Sequence, residues 1–249
     1  MIKIRYDGQF GNTMFQYTLA RLLAEKFNIQ LMDNLPLNPI LSNTPNKLGR
    51  IFDEAHLPDI LINDTFAYFP KEMPQGKFTL WGWFQRMQFY INDRELIKTF
   101  FNYDNSNIAT NTKDIIMHVR LKDYNTLKWT IHQDYYINIL KKETYENIYL
   151  VTDDPTSNYF DVFKDFNIIN ISSSPKEDFY KLMSFDKVIM SNSTFSWWAM
   201  FLGNSSKIYT FKPWITNPIN THPHQATNHT DNIYDLPNSI HITENFLYK

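Results

Sequence analysis

The chain is predicted to be an α/β protein built on parallel sheets, and three observations predict it. The first 32 residues read strand, glycine turn, helix, strand. Beyond residue 111, apolar strand-like runs alternate with amphipathic helical ones, and an asparagine-rich stretch separates the two parts.

Taken in order, residues 2–6 alternate as a strand does and Asp7-Gly8-Gln9-Phe10-Gly11 supplies a turn. Phe15, Leu19, Leu22 and Phe27 recur at helical spacing, and 29–32 forms the next strand. Such a unit opens a nucleotide-type domain. Residues 34–76 are broken by prolines and asparagines and read as loops and short pieces. Residues 81–84 look like a strand end, and 87–101 like one helix with Phe89, Leu96 and Phe100 on one face. The polar stretch 104–112 has the makeup of a linker, which gives domains 1–110 and 111–249. After it, strands are expected at 115–119, 148–152, 168–171, 188–191 and 208–211, with helices at 134–142, 156–166, 177–185 and 194–201. This alternation implies a parallel sheet covered on both faces, whose ligands sit outside the carboxyl ends of the strands. Three polar clusters fall at those ends: His118-Val119-Arg120, Thr152-Asp153-Asp154-Pro155 and Ser191-Asn192-Ser193-Thr194.

Composition narrows the chemistry. The chain has no cysteine, so disulfides, thiolate metal sites and cysteine nucleophiles are excluded, and a reducing compartment is consistent. No stretch has the apolar length of a membrane span and the start does not read as a secretory signal, so a cytoplasmic protein without a transmembrane segment is expected. A net charge of −2 without basic runs argues against a nucleic-acid polymer as partner. Neither G-x-G-x-x-G nor G-x-x-x-x-G-K-[ST] occurs, which disfavours dehydrogenases and P-loop ATPases, and no G-x-S-x-G elbow supports a serine hydrolase.

Each cluster has a plain structural reading beside a functional one. Ser191 to Ser196 can be an ordinary helix cap, or a helix start that receives phosphate through its amides and dipole. Arg120, at the end of an apolar strand, needs an anionic partner; Asp123 can be that partner, or a phosphate can. Together the two favour a diphosphate. Asp153 and Asp154 before proline fit a turn better than a metal site, since D-x-D occurs nowhere in the chain. His222, His224 and His229 fit a polar loop better than zinc.

The same segments resemble the alpha-1,2-fucosyltransferase family, glycosyltransferase family 11. Gly8-Gln9-Phe10-Gly11-Asn12-Thr13-Met14-Phe15-Gln16-Tyr17 is similar to that family's G-G-L-G-N-Q-[ML]-F-Q-Y, and Trp81-Gly82-Trp83-Phe84-Gln85 to its G-Y-F-Q. His118-Val119-Arg120-Leu121-Lys122-Asp123-Tyr124 resembles H-x-R-R-G-D-Y, followed by Asp134-Tyr135-Tyr136 and Thr152-Asp153-Asp154. Ser191-Asn192-Ser193-Thr194-Phe195-Ser196-Trp197-Trp198 is nearly the family's S-N-S-T-F-S-W-W. The resemblance implies a GT-B fold, two Rossmann-like domains with a cleft between them. It implies a metal-independent, inverting transfer of fucose from a GDP-fucose donor to a glycan acceptor, with no cofactor. By position it makes Arg120 and Asn12 the catalytic candidates. Gly11, His118, Asp178, Asn192, Ser193, Thr194, Phe195 and Ser196 become the donor-binding ones. It assigns no general base; Asp7, Asp33 and Asp123 qualify by residue type only.

The chain departs from the family pattern where Leu121 and Lys122 replace arginine and glycine and Asp7 replaces the first glycine. The expected consequence is loss of the second arginine's contact, or its transfer to Lys122. A transferase for another GDP-hexose, or a binding protein without turnover, is the alternative.

Overall fold

The first strand of the molecule, β1 (Ile2–Ile4), is flanked on both sides by parallel partners. The computed structural model describes residues 1–32, 56–66, 68–103, 111–212 and 236–242. The described residues fall into two units, 1–103 in one and 111–212 with 236–242 in the other.

In the first unit, β2 (Leu31–Met32), β3 (Asp59–Ile62) and β4 (Lys77–Leu80) complete a parallel sheet of order β2-β1-β4-β3. Ile2 lies opposite both Leu31 and Phe78, and all three are buried. Helix α1 (Phe10–Phe27) buries Phe15, Leu19 and Leu22 of the expected stripe, with Met14 and Leu23 beside them, whereas Phe27 is only partly buried. It stops at Asn28, whose φ of 51° places it in the left-handed region that asparagine tolerates.

Three expectations for this unit need correction. Strand β3 is a regular strand inside the segment read as loops and short pieces, and the strand expected to end at 81–84 stops at Leu80. Residues 87–101 do not form one helix. They make two 3-10 turns, Met87–Phe89 and Ile91–Asp93, before the five-residue α2 (Arg94–Lys98). The chain enters them from Phe84, held at φ 52°, and Leu96, expected on the buried face, is exposed while Ile97 is buried.

The second unit carries β5 (Asn111–Val119), β6 (Ile148–Thr152), β7 (Ile168–Asn170), β8 (Phe185–Ile189), β9 (Lys207–Phe211) and β10 (Ser239–Ile242). All pair in parallel, in the order β7-β6-β5-β8-β9-β10. The helices are α3 (Lys122–Leu127), α4 (Gln133–Leu140), α5 (Pro175–Met183) and α6 (Thr194–Leu202). A helix was expected over 156–166; only a 3-10 helix, Asn158–Phe163, forms there. Helix α5 starts where its sequence says it should, with Ser174 and Glu177 closing a reciprocal capping box and Pro175 in the first turn.

The alternation of strand side chains sorts β5. Ile115, Met117 and Val119 join a core with Tyr135, Tyr136, Ile139 and Leu140 of α4. Neighbouring residues of a strand point to opposite faces, so His118 is carried to the face opposite Met117 and Val119. Trp197, Trp198 and Phe201 are fully buried, with the Trp197 and Phe201 rings stacked 5.0 Å apart. Burial of such rings contributes about 1.5–3 kcal/mol each, which fixes α6 and therefore the position of its first residues.

Candidate active site

The strand order of the second sheet reverses between β5 and β8. In an open parallel sheet such a reversal leaves a crevice outside the carboxyl ends of the two strands. The residues there are His118 to Arg120 at the end of β5 and Ser191 to Ser193 after β8, two of the three clusters singled out by sequence.

Arg120 is partly buried and sits between two carboxylates. Nη2 lies 2.7 Å from Asp123 Oδ1, and Nη1 lies 3.0 Å from Asp153 Oδ2. Its guanidinium also lies 5.7 Å from the centre of the Tyr124 ring. The structural partner foreseen for Arg120 is thus present, and a second one with it. Asp154 serves the turn: its amide donates to Thr152 Oγ1 and its carboxylate accepts from Thr156 Oγ1.

His118 is 4% exposed, and its Nδ1 is buried without a hydrogen-bond partner. Burial first, and the Arg120 charge second, push its imidazole down to about 3. The ring is therefore neutral near pH 7. An unpartnered buried nitrogen costs roughly 1–3 kcal/mol.

A second set of contacts fixes the start of α6. The Tyr124 hydroxyl donates to the Asn192 carbonyl at 3.0 Å, and Asn192 Nδ2 donates to the Trp129 carbonyl at 2.9 Å. Ser193 Oγ accepts from the Phe195 amide as the helix cap. Ser196 is fully buried, its hydroxyl within reach of the Ser193 and Ser191 carbonyls at 3.1 and 3.4 Å, so it holds the loop shut rather than facing outward. Thr194 and Phe195 are partly buried, and the Phe195 ring lies 5.6 Å from that of His118 and 5.5 Å from that of Phe179. Asp178, beside Phe179 on α5, is clasped locally: Oδ1 accepts from the Ser173 amide, the Ser173 hydroxyl and Lys181.

Leu121 and Lys122 resolve the departure noted in the sequence. Leu121 is fully buried in the core of the second unit, whereas Lys122 is exposed on α3. Position 121 offers no site for a charged contact.

The first sheet has its own reversal, between β1 and β4. The turn after β1 and the segment 81–85 after β4 flank it. Gly8, at φ 77°, is where a side chain would be strained: a Cβ would lie 2.3 Å from Asn12 Nδ2 and 2.7 Å from the Trp83 ring. Asn12 Oδ1 accepts from Gln85 Nε2 at 2.9 Å, which joins the two segments, and Gly11 is buried beside it. Gln16, fully buried, bonds both the amide and carbonyl of Asp7 and the carbonyl of Gly82. Asp64, which sequence reasoning missed, accepts from the amides of Trp83 and Phe84 and so holds the left-handed Phe84. Its only signal was a carboxylate two residues beyond Ile62, one turn after an apolar run. Of the base candidates, Asp7 accepts from the Gly8 amide, Asp123 pairs with Arg120, and Asp33 lies outside the described residues. His222, His224 and His229 lie outside them as well, and among the described residues no group of three His, Asp or Glu is placed to hold a metal ion. No helix among them is long and apolar enough to cross a membrane.

Parallel sheets with polar clusters at their reversals place this chain in the class of open α/β proteins that bind ligands at strand ends. The model of glycosyl transferase family 11 matches residues 1–234. The chain belongs to glycosyl transferase family 11. Solved structures similar to it include NodZ alpha-1,6-fucosyltransferase soaked with GDP-fucose, at 14% identity and a TM-score of 0.55 over 85% of this chain and 95% of that one. Fucosyltransferase NodZ from Bradyrhizobium follows at 14% identity and 0.53, covering 83% and 94%. NodZ co-crystallized with GDP gives 14% and 0.51, covering 83% and 93%. This likeness establishes a mixed α/β fold with parallel sheets. No curated protein matches the chain.

Proposed function

We propose that this glycosyltransferase moves L-fucose from GDP-beta-L-fucose to a glycan hydroxyl, in alpha-1,2 linkage to galactose, with inversion and without a metal ion. The reading includes a GT-B fold of two Rossmann-like domains and a cytoplasmic location. Its central support is Arg120 beside the orphaned His118 nitrogen at the reversal of the second sheet, in a member of a glycosyltransferase family. The NodZ structures with GDP-fucose and GDP support the donor, and the absence of D-x-D from the sequence supports metal independence.

In this reading the bond from the sugar carbon to the diphosphate breaks as the acceptor oxygen attacks from the opposite side, and the hydroxyl proton leaves to water or to the departing diphosphate. Negative charge grows on the leaving diphosphate, and a fixed guanidinium stabilises that charge more in the transition state than in the ground state. Neutral His118 and the start of α6 orient the donor; Asn12, with Gly11 buried beside it, is the catalytic candidate of the first unit. Ser193, Thr194 and Asn192 line the donor side, while Phe195, Ser196 and Asp178 shape it through packing and local bonds.

Leu121, standing where the resembled motif has its second arginine, favours a second reading, transfer from another GDP-hexose. GDP release by the purified protein in EDTA separates the two. Release from GDP-fucose that rises with galactose-terminated acceptors supports fucosyl transfer. Release from GDP-mannose or GDP-rhamnose instead supports the second reading, and GDP binding without release from any donor overturns both.

A further inference from the structure

Arg120 is held by two carboxylates that differ in how readily they can let go. Asp123 sits on α3 with its side chain 48% exposed. Asp153 is 15% exposed and engaged at both oxygens: Oδ1 accepts the Leu121 amide at 2.8 Å, and Oδ2 faces Arg120 Nη1. It also follows directly on Thr152, which pairs with Val119 across the β5 and β6 strands, so the sheet itself sets its distance from Arg120. Oδ2 is buried and makes no aligned hydrogen bond, which leaves the guanidinium charge as its compensation.

We propose that Asp153 is a positioning residue that holds Arg120 at the strand end, and that Asp123 is the partner an incoming diphosphate replaces. The inference rests on the reading of Arg120 as the diphosphate-binding residue. A guanidinium presents five N–H donors in one plane. Arg120 can therefore keep Asp153 on Nη1 while phosphate oxygens take the Nη2 side that Asp123 leaves. Asp153 thus sets the direction of Arg120, whereas Asp123 competes with the ligand.

The two roles predict opposite signs, whereas charge alone predicts one. Removing either carboxylate makes the crevice less negative, which by itself would tighten GDP. GDP affinity is measured by calorimetry on the full chain for wild type, Asp153→Asn, Asp123→Asn, Arg120→Ala and the Arg120→Ala/Asp153→Asn double variant. Asp153→Asn keeps an oxygen for the Leu121 amide, yet it is expected to weaken GDP about ten-fold. Asp123→Asn is expected to bind GDP more tightly than wild type. In the Arg120→Ala background, Asp153→Asn is expected to cause no further loss, and at most the slight tightening that removal of a negative charge gives, because its weakening effect passes through Arg120. If Arg120→Ala weakens GDP while Asp153→Asn does not, or if the two losses add, the positioning role is overturned and the reading of Arg120 stands. Unchanged affinity in Arg120→Ala overturns both. Should Asp153→Asn fail to fold, Asp123→Asn still decides the exchange, and weaker GDP binding there overturns it.

Discussion

The Tyr124 hydroxyl donates to the Asn192 carbonyl across 3.0 Å, which ties the helix after Arg120 to the loop before α6. Burial first raises the pKa of this phenol, while Arg120 opposes the shift and Asp123 adds to it, so the group remains a neutral donor at any working pH. Two clusters far apart in sequence are thereby held as one site.

Tyr124→Phe removes that bond and keeps the ring beside Arg120. The expected loss is about 1 kcal/mol of stability, the usual scale for one hydrogen bond, together with weaker GDP binding as the α6 start loosens. Urea unfolding and calorimetry check it. A variant that matches wild type in both would show that Asn192 is positioned by Trp129 alone.

Leu121→Arg, which restores the residue of the family motif, is expected to damage the protein rather than improve it. The side chain would enter an apolar core shared with Val119, Ile131 and Tyr135. An uncompensated buried charge of this kind costs about 3–5 kcal/mol. Denaturation midpoints measure it; a variant with wild-type stability and faster transfer would mean that position 121 can turn outward.

Titration of His118 gives a pH dependence of known sign. The unfolded chain takes up this proton near its ordinary pKa of 6.5, the folded chain only near 3. Between those values the unfolded state binds more protons, so stability is intact above 6.5 and falls as pH drops toward 3. The slope approaches about 1.4 kcal/mol per pH unit for one group. Wild type should lose more stability than His118→Asn between pH 6.5 and 4.5, and equal losses would place the proton uptake elsewhere.

Strands β5 to β9 were legible because each is a short apolar run, a pattern set by burial on both faces, whereas β10, a partly exposed edge strand, was not expected. Strand β3 was not, because a four-residue edge strand between Pro58 and Asn63, with Leu61 half exposed, carries too few buried positions to show a period. The 87–101 helix was overcalled for the opposite reason: Phe89, Leu96 and Phe100 fit helical spacing by chance, while the left-handed Phe84, fixed by Asp64 from a distant loop, redirects the chain. In the site, the residue types at the strand ends were readable, since charge and small hydroxyls after an apolar run are unusual. The pairing of Arg120 with Asp153 was not, because it depends on the register that sets Val119 against Thr152. Ser196 was expected to line the pocket, yet its hydroxyl turns to two carbonyls, a choice made by local geometry that residue type does not reveal.

Tyr135 and Tyr136 of α4 are both buried, their rings 4.8 Å apart edge to face. Tyr136 donates to the His118 carbonyl at 3.0 Å, and the Tyr135 hydroxyl is shared between the carbonyls of Met190 and Tyr209 at 3.1 and 3.0 Å. One helix thus bonds three adjacent strands of the sheet, near the end of β5, just beyond β8 and at the middle of β9. Strand ends ordinarily fray first, but here they can open only if α4 lifts away with them. Amide hydrogens along this rim should therefore exchange with solvent at the pace of cooperative opening, and adjustments that accompany turnover fall to the side chains and the short helix α3 rather than to the sheet.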